Sequence, residues 1–171
     1  MDILNLIKNE LRDKLTADIP ELKLVRRFNN DIQRYVSGES SLFQPPACFI
    51  ELVSPRTFSG TGGYQNDYSN EMQIRIHFVT MQKDESNDFD RLYELRSKVY
   101  TALAFYAKDF DNNLGGFNEL QRTSEGEDLS FKGLGAGFIE FQCLFSDGTA
   151  SRDKGEISVS GITTVTNVEK A

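Results

Sequence analysis

Few side chains in this sequence could do chemistry. His77 is the only histidine, and it falls on the polar phase of the alternating segment Met72-Gln73-Ile74-Arg75-Ile76-His77-Phe78. A Ser–His–Asp relay would have to pass through it, and no Gly-x-Ser-x-Gly turn supplies a nucleophile. A lone histidine also excludes any metal site built on two. His77 therefore reads as an exposed or edge-strand residue. Cys48 and Cys143 are the only cysteines, too few for a disulfide framework and without the CxxC spacing of a zinc site. Both sit in apolar runs, where thiols are inert, and a reducing compartment suits them. Gly133-Leu134-Gly135-Ala136-Gly137 has the look of a dinucleotide loop, but a strand follows it, where a pyrophosphate needs a helix N-terminus. It reads as a flexible turn into the last core strand. Glu125-Gly126-Glu127-Asp128 lacks the Asp/Asn spacing and closing Glu of a calcium loop, and reads as a solvated loop. The sequence predicts no catalytic residue, no cofactor and no metal.

The elements that carry these residues are legible from hydrophobic period. Ile3, Leu4, Ile7, Leu11 and Leu15 mark one face of a helix that Pro20 ends. Leu22, Leu24, Arg26 and Phe28 alternate with Lys23, Val25 and Arg27 as a short edge strand. Residues 29–46 run polar and read as a loop with room for a helical turn around Ile32 and Val36. Ala47 to Val53, the most apolar stretch, is a buried strand between Pro46 and Pro55. Residues 54–70 form a long loop, and Met72 to Phe78 is a half-buried antiparallel strand. Asn87 caps a second helix whose stripe Phe89, Leu92, Leu95, Val99, Leu103 and Tyr106 stops near Lys108. A poorly patterned strand is placed within 117–125, and Phe138 to Phe145 is the closing core strand. The order α-β-β-β-α-β-β gives an α+β fold: a single antiparallel or mixed β-sheet with two helices packed on one face, plus a C-terminal β-prone arm.

With 171 residues the chain holds one domain, here 1–147, followed by a linker and arm over 148–171. Nineteen basic against 26 acidic side chains leave a net charge of −7, which opposes gripping a phosphate backbone but not repelling one. No run of 18 apolar residues exists to span a membrane, mean hydropathy is −0.43, and Met1 to Asn5 lacks the basic start of a signal peptide. A soluble, cytosolic chain is expected.

What remains points to surfaces. Loop 54–70 carries Arg56, Phe58, Tyr64 and Tyr68 among glycines, an interface composition. The alternative is a hairpin loop whose aromatics tuck back onto the sheet. In the arm, Ile157, Val159, Ile162 and Val165 lie among Ser and Thr. Such a segment adds as a strand to a neighbour's open sheet edge, or else is a frayed tail.

The run Phe43-Gln44-Pro45-Pro46-Ala47-Cys48-Phe49-Ile50-Glu51 resembles the strand of a proline, alanine, hydrophobic, aromatic, isoleucine and glutamate in tail-terminator, or tail-completion, proteins of long-tailed bacteriophages and prophages. The opening helix, the Asn29-Asn30 strand end ahead of Gln33, the alternating strand, the second helix and the closing strand ending in Ser146-Asp147 agree with it. The resemblance covers about residues 1–147 and rests on element order more than identity. It implies a non-enzymatic virion protein that assembles into a ring, usually of six subunits. The ring caps the head-proximal end of the tail tube and provides the head-joining surface. The implied partners are further copies of itself, the tail tube protein and a head–tail connector protein. DNA passes through without specific binding, no membrane is involved, and the protein is found in the host cytoplasm until it joins the virion. A heterologous ring interface needs two different patches per subunit, which an arm and a sheet edge would supply. Two other readings stay open: another connector or neck ring protein, and a small-molecule-binding or enzymatic α+β domain.

Overall fold

The computed structural model describes residues 2–38, 43–57, 70–81, 89–110, 114–128 and 133–147, with the backbone alone for 54–57 and 128. Three helices and seven strands follow in the order α1 (Ile3–Asp18), β1 (Leu24–Arg27), α2 (Asp31–Val36), β2 (Ala47–Thr57), β3 (Asn70–Met81), α3 (Asp90–Leu103), β4 (Lys108–Phe110), β5 (Gly115–Phe117), β6 (Gln121–Asp128) and β7 (Leu134–Asp147). The strands form one mixed sheet in the order β1-β2-β3-β7-β5-β4, with β6 also paired to β7. Only β1 runs parallel to its neighbour, β2. The architecture is α+β.

The helices form where a capping residue and a spaced apolar stripe coincide. Asp2 begins α1 by accepting the Leu4 N–H at 3.1 Å, and Ile3, Ile7, Leu11 and Leu15 are fully buried along one side. On α3 the buried stripe is Leu92, Leu95, Val99, Ala102 and Leu103. Both stripes pack on the same sheet face, against Cys48 and Ile50 of β2, Ile74, Ile76 and Phe78 of β3, and Ile139, Phe141 and Cys143 of β7. A second, smaller cluster lies at one end of the opposite face, where α2 and Phe43 bring Ile32, Tyr35 and Phe43 onto Ala47, Phe49, Val79 and Ala136. The rest of that face has no helix over it among the described residues.

Several expectations need correction. β2 continues through Pro55 to Thr57, with its register to β3 shifting between Val53 and Thr57, so Arg56 stands at a strand end and not in a loop. A register shift is where a proline fits, because a ladder N–H is not required there. α3 ends at Leu103, not near Lys108, and Lys108–Phe110 is a strand. Residues 125–128 belong to β6, not to a solvated loop, and Gly115 and Gly116 lie in β5. Asn87 lies outside the described residues.

The glycine run 133–137 is a turn only at Gly133, whose φ is +83°. From Leu134 onward it is β7, paired with β3 from Met81↔Leu134 to Phe78↔Gly137. Gly135 and Gly137 answer to space. A Cβ on Gly135 would stand 3.0 Å from Thr80 Oγ1 and 3.6 Å from Leu92 of α3. On Gly137 it would stand 2.9 Å from the ring of buried Phe78 and 3.0 Å from the Gly126 carbonyl. Gly137→Ala is therefore expected to destabilise the fold by about 1–3 kcal/mol, the usual effect of overpacking a core. Chemical denaturation checks this, and an unchanged midpoint would contradict it.

Candidate interaction surface

The face of the sheet away from α1 and α3 is built by the polar phase of its strands. Register aligns four residues in one row across β2, β3, β7 and β6: Glu51 opposite Arg75, Arg75 opposite Glu140, and Glu140 opposite Ser124. Alternating charge along such a row is favourable, because directly opposed side chains on one face touch. Arg75 is the hub. Its Nε donates to Glu140 Oε1 at 2.8 Å, its Nη2 reaches the same oxygen, and its Nη1 lies 3.5 Å from Glu51 Oε2. The guanidinium also lies over the Phe138 ring, 5.0 Å from its centroid. The Ser124 hydroxyl donates to the other Glu140 oxygen. That bond first, and the Arg75 guanidinium after it, hold the Glu140 carboxyl below the usual carboxylate range.

His77 stands beside this row, opposite Phe49 and Phe138, and is not where the sequence suggests. It is in β3, between β2 and β7, so it is not at an edge, and its side chain is only 14% exposed. The Phe28 ring, delivered by the chain just after β1, stacks on it at 4.0 Å with the planes 11° apart. Its Nε2 lies 2.8 Å from Glu51 Oε2, so the neutral ring with a proton on Nε2 donates to that carboxylate. Burial depresses the His77 pKa, opposed in part by the bond to Glu51. The imidazole and Arg75 thus share one carboxylate, and together they lock the row into a fixed pattern of charge.

Among the described residues no group of three His, Cys, Asp or Glu is placed to hold a metal ion. The two thiols are buried on the helix side of the sheet; burial pushes Cys48 up in pKa and Cys143 up to about 12. No described helix is long and apolar enough to cross a membrane.

Of the residues expected at an interface, Arg56 has a described backbone at the end of β2. Phe58, Tyr64, Tyr68, Ile157, Val159, Ile162 and Val165 lie outside the described residues. What sequence reasoning missed is the row itself. Its signal was present: Glu51 is the single charge in the most apolar strand, and Arg75, His77 and Glu140 share the polar phase. Pairing them requires the register, which no single strand carries. Neither the protein-family models nor the curated proteins include a match to this chain.

The depressed pKa values of His77 and Glu140 fix the sign of the pH response. A group with a lowered folded-state pKa contributes stability above its unfolded value, and that contribution is lost as pH falls. Wild type is therefore expected to lose stability below about pH 6.5 through His77, and further below about 4.5 through Glu140. His77→Gln keeps a donor for Glu51 but does not titrate, so it is expected to flatten the upper step alone. Urea midpoints between pH 8 and pH 4 check this; identical slopes for both proteins would contradict it.

Proposed function

We propose that this chain is a non-enzymatic virion protein of a long-tailed bacteriophage or prophage. It forms a ring, of six subunits, that caps the tail tube and presents the surface to which the head is joined. The observation that carries the reading is the architecture. An opening helix, a short strand, two long strands, a second helix and a closing strand make one mixed sheet with α1 and α3 on the same face. That is the arrangement the sequence resemblance implies. The charge row on the uncovered face supports it as well, because a pre-organised row of alternating charge presents one defined pattern to a partner at little entropic cost.

Ring closure needs two unlike patches on each subunit. The sheet offers outer edges at β1, β4 and β6 among the described residues. β6 is blunted, since its register to β7 shifts at Thr123 and it exposes Arg122, Glu125 and Glu127. Bulges and charges of that kind prevent strand addition. This leaves β1 and β4 as acceptors for the arm 148–171 of a neighbouring copy, through Ile157, Val159, Ile162 and Val165. An acidic chain, at −7 overall, also suits a passage for DNA, because repulsion keeps the polymer from adhering.

Native mass spectrometry of the full chain is expected to give a species near six times 19.4 kDa. A monomer at every concentration would overturn the self-assembling ring. A ring that binds connector protein but not tail tube would move the protein to the connector side of the joint. Deleting 148–171 is expected to weaken self-association about tenfold or more without altering the thermal midpoint of the domain. An unchanged oligomer mass would remove the arm from the interface.

A further inference from the structure

The turn that ends α3 holds a residue that its geometry does not favour. Leu103, Ala104, Phe105 and Tyr106 form a type II turn: Ala104 has φ −59° and ψ 125°, Phe105 has φ 60°, and the Tyr106 N–H donates to the Leu103 carbonyl at 3.0 Å. The third position of this turn requires positive φ and is ordinarily glycine or asparagine. A phenylalanine there is strained by its own Cβ. It gains no burial in return, since Phe105 is 69% exposed, the most exposed large apolar residue described. Two bonds hold it out. The Phe105 N–H donates to the Leu120 carbonyl at 3.0 Å, and the Leu120 N–H donates to the Tyr106 carbonyl at 3.0 Å. A strained residue fixed by its surroundings is characteristic of a contact site.

A receptor for an aromatic ring lies at the other end of the same helix. A groove of about 620 Å³ runs between the first half of α3, the end of β3 and the chain before β2, with Pro45, Pro46, Met81 and Leu95 along it. Met81 is 47% exposed there. Prolines, a thioether and a leucine are the partners an aromatic ring packs on, with the sulfur adding an S–aromatic contact. The charges agree in sign. Five charged side chains line the groove: Glu21 and Glu94 both pair with Lys98, which leaves Lys23 and Arg91 without an ion-pair partner among the described residues. Beside Phe105, Glu119 is exposed and likewise lacks a cation partner among the described residues. From Leu95 to Leu103, where the Phe105 turn begins, is about 12 Å of helical rise, so knob and groove of one copy do not meet each other.

We infer that Phe105 of one copy seats in the groove between the start of α3 and the end of β3 of the next copy, with Glu119 facing Lys23 and Arg91. This deepens the ring reading and rests on it: the contact is head-to-tail, joins two unlike patches, and closes when repeated around an axis. The strain at Phe105 is then the cost of holding an anchor residue in position before assembly, which reduces the ordering required on contact.

Two variants test it on the full chain. Phe105→Gly removes ring and strain together. It is expected to raise the thermal midpoint by about 2–4 °C and to weaken self-association at least tenfold in sedimentation velocity. A residue kept for folding would give the opposite sign in the melt. Phe105→Cys combined with Met81→Cys is expected to give a ladder of cross-linked multimers on mild oxidation, which neither single variant gives; Cys48 and Cys143 are buried and stay out of it. If wild type self-associates while Phe105→Gly associates equally and the double variant yields no ladder, the contact is overturned and the ring stands. If wild type does not self-associate at all, the ring reading fails and the contact with it.

Discussion

The pairing of β3 with β7 governs the molecule. Twelve consecutive partners, from Asn70↔Phe145 to Met81↔Leu134, run without a shift. Side chains alternate across a strand, so this one register decides what each face of the sheet carries. On one side Ile74, Ile76 and Phe78 meet Ile139 and Phe141 and receive both long helices. On the other, the same register sets Arg75 against Glu140 and His77 against Phe138. A slip of one residue would bury the charge row under α1 and α3 and expose the core. That double penalty makes the pairing specific.

Two consequences share that origin. The Thr80 hydroxyl leaves little room for a side chain at 135, and the crossing of Phe78 over its partner requires glycine at 137. The polar face, in turn, stays ordered without a covering helix, because Arg75 bonds to one carboxylate, lies near a second and covers an aromatic ring. Fixed charge on an open sheet and a strained aromatic on an exposed turn are both arrangements in which surface groups are held in place. Folding alone does not call for either, whereas the proposed assembly would use both.

How much was legible in the sequence follows from how local each determinant is. The α1 stripe of Ile3, Ile7, Leu11 and Leu15 and the alternation of β3 are local, and both were read correctly. α+β with two helices on one face followed from them. Three determinants are not local. The glycines read as one turn because composition cannot tell conformational freedom, which Gly133 uses at φ +83°, from close packing, which Thr80 and Phe78 impose at Gly135 and Gly137. The second half of β6, 125–128, read as a solvated loop because a polar edge strand has no buried face of its own to reveal it. The end of α3 was placed too late because the stripe runs on to Tyr106, while the turn at Ala104 and Phe105 is held by Leu120, a residue beyond two further strands. His77 shows the same limit: its phase was right, but the ring that covers it comes from Phe28, 49 positions earlier in the sequence.

The central claim, that the protein terminates a tail, is tested most directly by electron microscopy of the full chain with polymerising tail tubes. The account predicts a ring of density at one end of each tube and an arrest of further growth once it binds. Tubes that keep growing with both ends bare, in the presence of excess protein, would contradict it.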